Sequence, residues 1–448
     1  MQSASRVTQI SALALGIAGA LAFGQANASG FQLKENSVKA TGRAYAGSGA
    51  AAGDASVVIN NPAAMSLFDQ TTVQGDVHAI DLSYEVDATG TDAFGRPLTG
   101  GDGGNAGGVS PVPAISAIIP LGETGLTFGA AINAPFGLKT EYDRDWQGRY
   151  FADTSDVKIV NLTLSAGLDL SETLAVGIGA VYSKADVTLS KSVDFGTLLY
   201  SNPATRPLPF AVPQARDGHA EIEGDDTGFG WIAGLTFRPT DRFSLGVSYQ
   251  SEIDYELRGT ATWEVPDDVR GLFDRSPVTA QLFQKGGAGA KLTTPSTLAI
   301  VARYDVTDRF AMTANWTQTD WSSLREVRIQ FDNGDPDSVE PFEWSDTDFM
   351  SLGAEFALND AWTLRGGLAI DETPTSLAHR TPRLPDDDRH WFTIGATWKV
   401  SDAFDVDFAF AHLKPKDPKI AASAGGSTLT GPFDGDANIF GVSAQYRF

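Results

Sequence analysis

Side chains able to do covalent chemistry are scarce in this chain. It has no cysteine, which removes thiolate catalysis and Cys-ligated metals, and only five histidines. His78 and His412 fall in strand-like segments, His219 beside a loop, and His379 and His390 next to Pro- and Asp-rich stretches. None sits in a G-x-S-x-G or H-E-x-x-H context, so no enzyme is expected. The acidic runs at 266 to 268, 332 to 337 and 385 to 388 lack calcium-loop spacing and read as solvated loop surface. Neither a cofactor nor a metal is expected. What the spacing does offer is a binding track. From Leu174 onward, Leu174, Val176, Ile178, Ala180 and Tyr182 share one face of a strand, so Gly177, Gly179, Val181, Ser183, Ala185, Val187, Leu189 and Lys191 share the other. That second row turns apolar at Val187 and Leu189 and ends on a cation. Such a row suits an amphiphile whose tail gains about 0.8 kcal/mol per buried CH₂ while its carboxylate stays paired. Lys191 equally suits a solvated lysine at an outer rim. Lys184 is the second cation nearby, with the opposite parity.

A track of this kind needs a wall to carry it, and the rest of the chain supplies the pattern of one. In the last twelve residues Phe440, Val442, Ala444, Tyr446 and Phe448 alternate with Gly441, Ser443, Gln445 and Arg447. The same alternation runs through Phe243 to Gln250, Phe310 to Thr317 and Phe392 to Trp398. Aromatics recur near the strand ends, as at a membrane girdle. Short turns pairing Ser, Thr or Asn with an acid recur at 170 to 173, 239 to 242, 306 to 309, 358 to 361 and 400 to 403, with another near Gly122 to Gly125. Between them lie long Gly/Pro/Asp-rich connections, roughly 87 to 111, 136 to 155, 190 to 218, 264 to 288, 332 to 341, 372 to 388 and 414 to 436. Strict alternation of short and long predicts an all-β, transmembrane antiparallel barrel of about fourteen strands with both termini on the short-turn, periplasmic side. The segment 267 to 284 is expected to hold a short helix interrupted by Pro277.

Export is written at the start of the chain. Arg6, the apolar run Ile10 to Phe23 and Ala26-Asn27-Ala28 form a signal peptide over 1 to 28, which predicts a mature start at Ser29. No later stretch is apolar enough for a spanning helix. The formal charge of −23 repels nucleic acid and offers no basic patch to bind it.

Residues 29 to 70 break the strand pattern. They are rich in Gly, Ala and Ser, as suits a compact coil packed inside a barrel spanning 71 to 448, although a flexible tail has a similar composition. Within them "GRAYAGSGAAAGDASVVINNPAAM" (Gly42 to Met65) resembles the N-terminal signature of the FadL family of outer-membrane long-chain fatty-acid transporters, including the triplet Asn61-Pro62-Ala63. "NAPFGLKTEYDRDWQGRY" (133 to 150), "DWSSL" (320 to 324) and "RLPDDDRHWFTIGATW" (383 to 398) resemble further segments of that family in the same order. The resemblance implies a fourteen-stranded barrel closed by an N-terminal hatch, with a pocket that takes an apolar ligand from outside. It also implies a kinked third strand that opens the wall sideways to outer-membrane lipid. Pro135 and Gly137 end the predicted third strand and could supply such a kink, or mark a plain loop boundary. Phe31 matches a family position that reaches the ligand, Lys191 lies close to a basic position for the carboxylate, and Asn61, Pro62 and Ala63 shape the hatch. The expected function is passive transport of long-chain fatty acids by a monomer. Uptake of aromatic or other hydrocarbons by the same architecture, or a general porin, are the alternatives.

Overall fold

A strand with lipid on one side and a lumen on the other must be paired along both edges, because an open edge in hydrocarbon leaves backbone N–H and C=O groups without partners. A computed structural model describes residues 30–51 and 53–448 and shows how the chain meets that demand. The expected signal peptide and its cleavage point lie outside the described residues.

The strands in chain order are β1 (Thr72–Val86), β2 (Thr89–Thr91), β3 (Gly108–Pro120), β4 (Leu126–Glu141), β5 (Thr154–Ser171), β6 (Leu174–Asp194) and β7 (Asp217–Thr240). Next come β8 (Phe243–Gln250), β9 (Ile253–Glu264), β10 (Gly286–Thr294), β11 (Thr297–Thr307), β12 (Phe310–Thr319), β13 (Glu326–Phe331) and β14 (Ser338–Pro341). The last are β15 (Thr347–Ala357), β16 (Trp362–Asp371), β17 (Arg389–Lys399), β18 (Phe404–Pro415), β19 (Lys419–Ala424) and β20 (Ser427–Arg447). β8 with β9, and β10 with β11, each form one interrupted wall strand. β2, β13, β14 and β19 belong to the loop end. Among the described residues this gives a closed wall of fourteen antiparallel strands, sealed where β1 meets β20 from Thr72↔Arg447 to Val86↔Phe433.

The outward row matches the sequence pattern. Ile178, Leu352, Ile394, Phe440 and Val442 stand exposed, and Trp362 stacks on Trp398 with centroids 6.0 Å apart near the turn end. The polar turn residues cap backbone donors: Asn359 Oδ1 accepts from Ala361 N and Trp362 N, both at 2.9 Å, and Thr307 Oγ1 from Phe310 N at 3.0 Å. A helix occupies Asp267–Phe273 and stops before Pro277.

Three expectations are corrected. β4 does not end at Pro135 and Gly137 but runs on to Glu141, because the strand absorbs the proline in a register shift. The connection at 414 to 436 is largely strand, since β20 extends beyond the membrane-facing band and pairs with β19. The acidic runs are not all solvated, because Asp335 and Asp386 are buried with backbone donors to satisfy them.

Candidate ligand pocket and plug

Residues 30 to 51 and 53 to 68 fill the lumen. The geometry starts from Asn61, whose extended backbone lets its Oδ1 accept from Ala63 N at 3.2 Å and so start the 3₁₀ helix Pro62–Leu67. Pro62 stands at the first helical position, where a missing N–H costs nothing. Asn61 Nδ2 donates to Gly49 O at 2.9 Å and across to Leu235 O and Thr236 Oγ1 of β7, both at 3.2 Å. The wall receives this triplet on glycines. A Cβ at Gly177 would lie 2.4 Å from Ala63 N, and one at Gly234 would lie 2.0 Å from Asn61 Oδ1. Charge then fixes the plug laterally. Arg43 Nη1 reaches Glu355 Oε1 at 2.6 Å, and Glu355 also holds Arg303 at 2.5 Å and Arg365 at 3.0 Å. Lys39 Nζ lies 3.7 Å from Asp407.

The tip of the plug meets the wall at the irregular part of β4. Leu33 N donates to Pro135 O at 2.7 Å and Gly137 N donates to Phe31 O at 2.8 Å, so residues 31 to 33 run as a short extra strand against β4. Gly30 N is held by Asp386 Oδ2 at 2.9 Å. Burial pushes the Asp386 carboxyl above the usual carboxylate range, against the neighbouring Arg389 at 3.3 Å. Phe31 thereby sits among Phe136, Trp321 and Trp344, with centroids at 5.5, 5.1 and 5.9 Å.

Above Phe31 lies an apolar cavity of about 90 Å³, walled by Phe31, Leu138, Val187, Leu189, Leu257 and Leu292 and on the loop side by Val327, Phe342 and Trp344. Its polar contributors include Arg383, Glu340 and Ser155. Arg383 comes from the long connection before β17. Its Nη1 donates to Thr154 O and Ser155 Oγ, both at 3.1 Å, and its Nε to Glu340 Oε2 at 3.2 Å. Below the plug tip a second cavity of about 130 Å³ is bordered by Gln32, Leu33, Asn133 and Pro135.

The structure therefore brings Phe31, Val187 and Leu189 to one cavity. Lys191 stands half-buried further along β6, opposite Ala220, within electrostatic reach of Arg383 and Glu340 but not in the cavity wall. Lys184 is not brought there: it is exposed on the outward parity and paired with Asp186 at 3.0 Å. Sequence reasoning assigned no role to Arg383, Asp386, Trp321 or Trp344. Arg383 and Trp321 lie in segments noted only as family-like motifs, Asp386 lies in an acidic run read as solvated, and Trp344 lies in neither.

Beside these cavities the wall is incomplete. β3 and β4 pair only from Pro120↔Thr127 to Ile115↔Ile132, while β3 stays paired with β1 back to Gly108. The register of β4 against β5 slips between Asn133 and Phe136, which leaves one extra residue on β4. Glu141 N donates to Ala106 O at 3.1 Å and closes the gap above. The result is a window, and its β3 edge carries Pro111 and Pro113, residues that have no ladder donor to lose.

Residues 19–448 match the family model described as outer membrane protein transport protein (OMPP1/FadL/TodX). The 47 kDa outer membrane protein of Pasteurella multocida (strain Pm70) is 32% identical over 431 residues, covering 96% of each chain. The long-chain fatty acid transport protein of Escherichia coli (strain K12) is 27% identical over 467 residues, covering 99% of this chain and all of that one. Among solved structures, a Pseudomonas aeruginosa FadL homologue superposes with a TM-score of 0.88 at 27% identity, covering 94% of this chain and 100% of the other. The Ralstonia pickettii toluene transporter TbuX shares the fold at a TM-score of 0.62 and 19% identity, covering 88% and 94%. Wall, plug and sequence agree: the chain belongs to the outer-membrane transport family that includes FadL and TodX, and it is an outer-membrane transporter, not an enzyme.

Proposed function

We propose that this protein carries long-chain fatty acids inward across the outer membrane as a monomer, with residues 29 to 70 as its hatch and membrane lipid as the acceptor. The observation that carries this reading is an apolar cavity with a guanidinium in its wall. The alkyl tail lies along Val187, Leu189 and Phe31, and the carboxylate meets Arg383, with Lys191 as the cation it passes at the rim. A cavity of about 90 Å³ is smaller than the roughly 150 Å³ that holds a benzene, so the ligand must displace side chains to bind. Phe31 is the side chain placed to yield, since it lines this cavity while the next residues of the plug tip, Gln32 and Leu33, border the second one. The ligand then leaves sideways through the window between β3 and β4, where Pro135 and Gly137 shape the bulge, and never crosses the periplasmic side of the plug. Relatives named as long-chain fatty acid transport proteins support this cargo.

One observation favours aromatic hydrocarbons instead: the rings of Phe342 and Trp344 line the cavity, and those of Phe136 and Trp321 pack on Phe31. Uptake of labelled oleate and toluene by cells with and without the protein separates the two. Oleate uptake that depends on the protein is the expected result, and dependence of toluene alone overturns the cargo.

A further inference from the structure

The apolar cavity is lined on its loop side by Phe342 and Trp344, and these two residues flank a strained one. Glu343 holds φ at 45°, a left-handed conformation that an L side chain adopts at a cost, while Phe342 N and Glu343 N both donate to Arg325 O at 2.8 and 2.9 Å. The strained link delivers both rings to the cavity wall. Trp344 is 96% buried, yet its indole Nε1–H has no acceptor among the described residues. A buried donor without a partner is rare in folded proteins. The rings packed on this indole, Phe31, Trp321 and Phe342, offer it no acceptor. The benzo edge of the indole faces Gly30, whose added Cβ would lie 3.0 Å from Trp344 Cζ3, so the pyrrole edge that carries the N–H lies away from the plug tip.

We infer that the Trp344 indole N–H is a ligand-binding donor, reserved for an oxygen atom of the cargo. Together with Arg383 it makes the cavity selective for amphiphiles that bring an acceptor, a carboxylate above all, over hydrocarbons that bring none. The inference rests on the fatty-acid reading above and adds to it a residue that decides substrate class. A hydrocarbon fills the same space but leaves the donor unpaired, and so gains nothing from it. Trp344→Phe keeps an aromatic ring beside Phe31 and Phe342 and keeps the strained link; it removes the donor together with the pyrrole part of the indole, so the donor's share is read from the difference between oleate and toluene.

The test uses the full-length protein in detergent, uniformly labelled with ¹⁵N-tryptophan. The Trp344 indole signal is identified by its absence in Trp344→Phe. Oleate should move that signal downfield, and toluene, which brings no acceptor, should not. Trp344→Phe should weaken oleate binding by about tenfold or more beyond any change in toluene binding, the size of a lost hydrogen bond to a charged group. Equal losses for both ligands would make Trp344 a packing residue and overturn the inference. So would a wild-type indole signal that ignores bound oleate, a result that does not depend on the variant folding. If the unaltered protein binds toluene but no oleate, the fatty-acid reading falls and the inference falls with it. Oleate bound normally with an unmoved indole signal sinks the inference alone.

Discussion

Replacing Arg383 by Gln separates the two cations near the cavity. The guanidinium is more than nine-tenths buried and anchored to Thr154, Ser155 and Glu340 through Nε and Nη1, which leaves its Nη2 hydrogens outside those bonds. A charge-assisted hydrogen bond to a ligand carboxylate contributes about 1.5–3 kcal/mol. At about 1.4 kcal/mol per factor of ten, its loss weakens oleate binding roughly 10- to 150-fold. The upper end is expected, because Glu340 then loses its counter-charge and repels the incoming carboxylate. Gln keeps an amide that can still donate to Thr154 O, so the loop should stay seated. Lys191→Ala removes a half-buried cation outside the cavity wall, which acts on the carboxylate only at a distance; about 1 kcal/mol or less is expected from it, so the loss should be less than about fivefold. The assay is calorimetric titration of the full-length protein with oleate in detergent, with heat-modifiable gel mobility as the check on folding. A Lys191→Ala loss larger than the Arg383→Gln loss, in folded proteins, would refute the assignment of the carboxylate to Arg383.

Deleting Pro135 should restore the register of β4 on β5 between Asn133 and Phe136, narrow the window, and cut oleate uptake by cells while binding to purified protein persists. Arg43→Ala should release the plug from Glu355, which keeps Arg303 and Arg365, at a cost of about 1.5–3 kcal/mol, the range for a hydrogen bond to a charged group, and planar-bilayer recordings should show raised ion conductance. Gly177→Val should prevent seating of Ala63 and Pro62 and sharply lower the yield of heat-modifiable barrel, because the new side chain meets plug backbone. Asp386 tests pH. Its folded-state pKa is raised by burial, so the native chain takes up this proton more readily than the unfolded one. Its contribution to stability is therefore full below the unfolded value of about 3.9 and fades as pH rises through the raised pKa. Asp386→Asn should flatten that part of the thermal-stability profile, and an unchanged slope would show that another group sets it.

The barrel was legible in the sequence because a wall between lipid and lumen imposes a period of two, and each turn needs a residue that can cap its own backbone. Phe440 with Val442 and Asn359 with Asp360 show both rules locally, with no need of distant partners. Strand parity likewise put Val187 and Leu189 on the inward row. What parity could not give was which loop residue folds over the top of that row. Arg383 lies almost two hundred residues beyond Leu189 and reaches the cavity only through its bonds to β5, and Trp344 gets there through one strained residue. The same limit hid Asp386, which reads as one of three solvated acids until Gly30 N docks on it. Pro135 shows the boundary most clearly. Its residue type announces an interruption of the ladder, but only the pairing of β4 with β5, and its absence with β3, decides that the interruption is a window in a continuing strand and not the strand's end. Local chemistry determined the elements and the faces they present, while closure of the barrel and docking of the plug decided which of those faces meet.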